Sequence, residues 1–92
     1  MTFIYPIIFH KTQEGRIKGY FPDLEGCSAE GETVELAVRD AMEAEYNWIM
    51  LELEEEDPVL PAVSHLQDLE LKEGEFARNI SVKVRLTEGW EE

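Results

Sequence analysis

The spacing of apolar and polar residues changes along the chain. Residues 3–10 concentrate aromatic and β-branched side chains, which predicts a strand, and a polar turn follows at 12–15. Pro6 has no N–H to give to a ladder, so it belongs at an edge or a bulge. Over residues 16–21, Ile17, Gly19 and Phe21 alternate with Arg16, Lys18 and Tyr20, the pattern of a hairpin partner. Pro22 and Asp23 break this strand. Residues 24–26 form a turn, 27–30 a short third strand, and Gly31 with Glu32 ends it.

From Val34 to about Leu53 the period becomes helical. Thr33 is placed to cap the helix and Glu35 lies in its first turn. The capping box is incomplete, because Leu36 stands where Glu or Gln would reach back. Val34, Ala37, Val38, Ala41, Ala44 and Trp48 make one stripe. Its alanines bring the helix axis close to what it packs on, and a sheet face is the natural support. Arg39, Asp40, Glu43 and Asn47 face away. Leu36, Tyr46 and Met50 lean the same way, which calls for cover by the following loop or for a partner. The acidic run Glu54, Glu55, Glu56 and Asp57 ends the helix, and Pro58 and Pro61 mark the exit. Ser64 and Gln67 are spaced as a capping box, predicting a helical turn over 64–69. Residues 71–75 read as a polar connection. Residues 77–86 are the clearest strand: Ile80, Val82, Val84 and Leu86 point one way, Ser81, Lys83 and Arg85 the other. Residues 87–92 read as a frayed tail, although Trp90 is costly to leave in water.

The fold class expected is α+β, in the order β-β-β-α-β, with one long helix on a small, mainly antiparallel sheet. All 92 residues form a single domain. The second sheet face has nothing to cover it, and the last strand is an edge able to pair with a second copy, so a homodimer or higher homo-oligomer is expected.

Charge narrows the partners. Eight basic residues against 21 acidic ones give a net charge of −13. Phosphate binding needs clustered Lys and Arg, and here they are few and dispersed, so direct nucleic-acid binding is not expected. An acidic surface steers basic partners toward itself, or only keeps the protein soluble. No apolar run is long enough to span a bilayer, and the N-terminus lacks the basic start and cleavage site of a secretory signal. One cysteine makes no internal disulfide, which fits the cytoplasm.

The chemistry-bearing residues are sparse. Cys27 as a nucleophile would need His10 as its base. The plainer reading has Cys27 buried and His10 exposed and polar. The histidines and carboxylates show no metal-ligand spacing, no glycine-rich phosphate loop is present, and no cofactor is expected. The first two strands carry no acidic residue, which speaks against two-metal nuclease chemistry. The chain reads as a protein that binds another protein, not as an enzyme.

Tyr20-Phe21-Pro22-Asp23-Leu24-Glu25-Gly26-Cys27 resembles the signature turn "FPDLPGC" of the HicB-like antitoxin family, with Glu25 where proline is usual. Gly31-Glu32-Thr33-Val34-Glu35-Leu36-Ala37 resembles its helix start "GDTLEEA", departing at Glu32 and Leu36, and residues 5–10 resemble its opening strand. The likeness extends over nearly the whole chain. It implies a partial ribonuclease-H-like fold without the nuclease carboxylates. It also implies a role: neutralising HicA, a small basic toxin that cleaves mRNA, by masking its RNA-binding face. Many members continue into a helix-turn-helix or ribbon-helix-helix domain. These 92 residues include none, so operator binding is not expected of them. The alternative is a solitary module of the same fold that self-associates or binds another protein. The residues expected at the partner surface are Asp23, Leu24 and Glu25, which with Gly26 shape the turn, and Tyr46, Met50, Glu54, Glu55 and Glu56. Trp48 is expected in the core.

Overall fold

A computed structural model describes residues 1–84. Strands β1 (Thr2–Lys11), β2 (Ile17–Tyr20) and β3 (Ser28–Gly31) precede helix α1 (Val34–Leu53), and β4 (Glu75–Lys83) closes the order. All pairings are antiparallel, and the sheet runs β3-β2-β1-β4. The predicted α+β order β-β-β-α-β is therefore present. Arg85, Leu86, Trp90 and the tail expectation at 87–92 lie outside the described residues.

Pro6 stands in a central strand, and the ladder explains why it is tolerated. Met1 and Val84 exchange backbone hydrogen bonds of 2.8 and 3.1 Å. Backbone groups of successive residues turn to opposite sides of a strand, so with this register odd residues of β1 bond β4 and even ones face β2. β2 pairs with β1 only from Ile8 onward. Pro6 therefore points its missing donor at a stretch with no partner strand, which is a local edge.

One sheet face carries Tyr5, Ile7 and Phe9 of β1, Ile17 of β2, Ala29 of β3 and Ile80 and Val82 of β4, all buried under α1. The innermost row of the helix is Ala37, Ala41, Glu45 and Ile49. The predicted stripe is thus correct at Ala37 and Ala41, while Val34, Val38, Ala44 and Trp48 flank the row half-buried. The close approach inferred from the alanines is direct: a Cβ on Gly31 would stand 2.4 Å from the Ala37 nitrogen. Thr33 caps as expected, its Oγ1 accepting from Leu36 N–H at 3.1 Å.

Two local expectations are corrected. The turn after the helix is a single 3₁₀ turn, Leu66–Asp68, without the Ser64–Gln67 box, because Ser64 is engaged elsewhere. The outward apolar residues are not handled alike. Met50 packs against the core, whereas Leu36 and Tyr46 remain exposed among the described residues, so the following loop does not cover them.

Candidate functional site

The signature turn is built by backbone bonds. Phe21 N–H donates to Cys27 C=O, Leu24 N–H to Phe21 C=O and Cys27 N–H to Leu24 C=O, at 3.0–3.2 Å. Gly26 has φ +76°, a conformation costly for any side chain, which accounts for the glycine. Leu24 is 0 % exposed and plugs the turn into the core, so its part in any contact is to fix the loop's shape. Glu25 is exposed on the outside.

Four side chains gather the turn, the helix end and the linker 54–65 into one surface. Asp23 accepts from both the N–H and the Oγ of Ser64, each at 2.7 Å. Trp48 Nε1 donates to the Glu25 carbonyl at 2.9 Å. Tyr5 donates its hydroxyl to Pro61 C=O at 2.6 Å. Glu52 accepts from Val59 N–H at 3.5 Å. The expected core residue Trp48 is thus half-buried and ties the helix to the turn. Glu54 follows it by six residues, about 9 Å of helix rise. Glu25, Glu54, Glu55, Glu56 and Asp57 are all exposed, and Val59, 74 % exposed, and Val63 stand beside them on the linker. The result is an acidic end with apolar points, tied to the turn by part-buried and exposed hydrogen bonds.

Tyr46 belongs to a second place. With Met42 and Glu43 it lines an open groove of about 540 Å³ against Ser81, Val82 and Lys83 of β4. Tyr46 and the acidic run are therefore on different parts of the surface. Met50 faces the core between them.

Glu45 is the residue the sequence analysis missed. It is 0 % exposed, and neither carboxylate oxygen has a hydrogen-bond partner among the described residues. Burial raises its pKa to about 8, so it is neutral at physiological pH. Its place at four-residue spacing between Ala41 and Ile49 was the available signal, overridden by the habit of putting glutamate outside. Cys27 is buried and free, with its thiol pushed up to about 11 by burial and then by Glu45. Little thiolate exists at neutral pH, so no nucleophile is poised there. His10 is exposed on the opposite sheet face. Among the described residues no three His, Cys, Asp or Glu are placed to hold a metal ion, and no helix is long and apolar enough to cross a membrane.

Comparison with known proteins agrees with this fold. The family described as HicB-like antitoxin of bacterial toxin-antitoxin system matches residues 5–88. The N-terminal domain of Burkholderia pseudomallei antitoxin HicB is similar at 25 % identity with a TM-score of 0.77, over 89 % of this chain and 100 % of that one. A HicA3 and HicB3 toxin-antitoxin complex contains a chain 33 % identical, with a TM-score of 0.65 over 84 % of this chain and 94 % of that one. A toxin-antitoxin complex from Streptococcus pneumoniae, at 23 % identity and a TM-score of 0.75 over 90 % and 70 % of the two chains, shares the fold. No curated protein matches. Domains of this family are non-catalytic protein-binding modules. The signature turn, the β-β-β-α-β sheet and the match over residues 5–88 together place this chain in the family of HicB-like antitoxins of bacterial toxin-antitoxin systems.

Proposed function

We propose that this protein neutralises a small basic HicA-like toxin by laying its acidic end over the toxin's RNA-binding face. The observation that carries the reading is the exposed acidic run Glu54, Glu55, Glu56 and Asp57 at the helix end, followed on the linker by exposed Val59 and Val63, with the Trp48–Glu25 and Asp23–Ser64 bonds tying helix and linker to the signature turn. A cationic face made to hold phosphates attracts such a cluster over long range, and the apolar points exclude water once contact is made. No bond is made or broken. Occupying the face keeps RNA from it. Asp23 is a positioning residue here, since its carboxylate is already engaged by Ser64.

The test is calorimetric titration with a HicA-like toxin from the same genome, together with its RNA cleavage. Binding at about 0.15 M salt that weakens as salt rises, and cleavage that stops at stoichiometric antitoxin, is the expected result. Changing Glu54, Glu55 and Glu56 to Lys should abolish both. Capture unaffected by the triple change would overturn the masking by this acidic end, and no binding at that ionic strength would overturn the reading and favour a solitary module of this fold.

A further inference from the structure

Glu45 is the one buried carboxyl among the described residues, and neither of its oxygens meets a donor there. The groups turned toward it offer its charge no relief. Tyr5 on β1 and Cys27 at the end of the signature turn both feel that charge, and Tyr5 feels Asp23 as well. β2, β3 and β4 turn the apolar Ile17, Ala29, Ile80 and Val82 to that side. Arg78 of β4 is exposed, as are Glu43 and Tyr46 on the helix itself. Residues 58–64 of the linker carry no ionisable group. An ionised Glu45 is therefore relieved only by water. The thinnest cover lies at the linker. Tyr5, which feels Glu45, also donates its hydroxyl to Pro61 C=O at 2.6 Å, and Leu60 packs half-buried against the core. The two bonds from Ser64 to Asp23 and a longer one from Val59 to Glu52 complete the attachment. The helix has its own ladder and the sheet three antiparallel pairings. Segments held by few buried contacts open first.

We propose that Glu45 and the linker form a proton-controlled latch: residues 59–64 are a lid over the buried carboxyl, the lid opens while the sheet stays folded, and loss of the Glu45 proton opens it. The direction follows from the closed state. Closed, Glu45 holds its proton up to about pH 8; open and hydrated, it returns to the ordinary 4.5. Between those values each unit of pH favours the open form roughly tenfold. Val59 and Val63 ride on the lid and the acidic run precedes it, so an open lid loosens the surface proposed to meet a toxin. That consequence rests on the proposed toxin contact; the latch itself does not.

Amide hydrogen exchange of the full chain without toxin, between about pH 5.5 and 7.5, tests this. Ser64 N–H, bonded to Asp23, reports the lid, and Ile7 N–H, in the β1–β4 ladder, reports the sheet. After division by the intrinsic rate at each pH, Ser64 is expected to exchange at least about tenfold faster than Ile7 and to speed up roughly tenfold per pH unit. Glu45→Gln should remove that dependence. Asp23 and His65 remain in the variant, so a dependence owed to either would survive it. Tyr5→Phe frees the lid from one bond and leaves the carboxyl in place; it should speed Ser64 about three- to tenfold at every pH and keep the dependence. Ser64 exchanging no faster than Ile7, showing no pH dependence in the wild type, or keeping that dependence in Glu45→Gln would overturn the latch. With no toxin in the experiment, failure of the latch leaves the toxin reading standing, and failure of toxin binding leaves the latch.

Discussion

Glu45 is where one residue's chemistry departs furthest from its type. In water a glutamate is ionised, but here the helix row presses it onto the sheet with no donor to meet it among the described residues. The groups that feel its charge are Tyr5 on β1 and Cys27 before β3, both neutral near pH 7. Its folded pKa, near 8, lies above the ordinary 4.5. Between those values the folded protein holds a proton that the unfolded chain has released. Stability is therefore full below about pH 4.5 and falls as pH rises through about 8, by about 1.4 kcal/mol per unit inside the window. Urea denaturation at a series of pH values should show this slope, and Glu45→Gln should flatten it. Replacing the carboxyl by an apolar group of similar length removes two unsatisfied oxygens. Glu45→Met is thus expected to stabilise the fold at neutral pH by roughly 1–3 kcal/mol. A destabilised Glu45→Met would mean that the carboxyl has a partner.

At the scale of elements, the helix packs along the sheet by its buried row, whereas the linker is held by a few hydrogen bonds. Helix α1 touches β3 where Gly31 lies under Ala37. Gly31→Ala would drive a methyl into the helix backbone, and a loss of about 1–3 kcal/mol in denaturant unfolding is expected. The linker is held through Asp23 and Ser64. Asp23→Ala removes a charge-assisted pair of bonds, with an expected cost of roughly 1.5–3 kcal/mol and faster proteolytic cleavage within residues 54–70. The sequence suggested a helix cap for Ser64 because its spacing to Gln67 fits one. The rival acceptor lies 41 residues away, and no local pattern reveals it.

Over the whole molecule, fold stability and the proposed partner contact pull on the same residues. Glu52, Glu54, Glu55 and Glu56 stand at the C-terminus of α1, which has no basic residue in its last turn and carries the negative end of the helix dipole. Reversing Glu54, Glu55 and Glu56 to Lys should leave the fold intact and raise its stability by about 0.3–1 kcal/mol by thermal melting, while removing attraction to a basic partner. The proposed toxin contact would give this like-charge run a use outside the protein's own fold. If the triple variant melted earlier than wild type, the run would instead be structural.

Sequence alone determined the element order, the helix from Val34 to Leu53, its Thr33 cap and the shape of the signature turn. These follow from backbone preferences and side-chain periodicity, which act over a few residues. The resemblance of the signature turn brought out Asp23 and Glu25, and the local run of like charge brought out Glu54 to Asp57. What they are for was decided by tertiary contacts. Asp23 is spent on Ser64, Trp48 packs half-buried against the core and also binds the Glu25 carbonyl, and Tyr46 is separated from the acidic end. Glu45 marks the limit most plainly. Its periodicity points inward and its charge outward, and only the packed helix–sheet seam, which buries it and shifts its proton equilibrium, resolves the conflict.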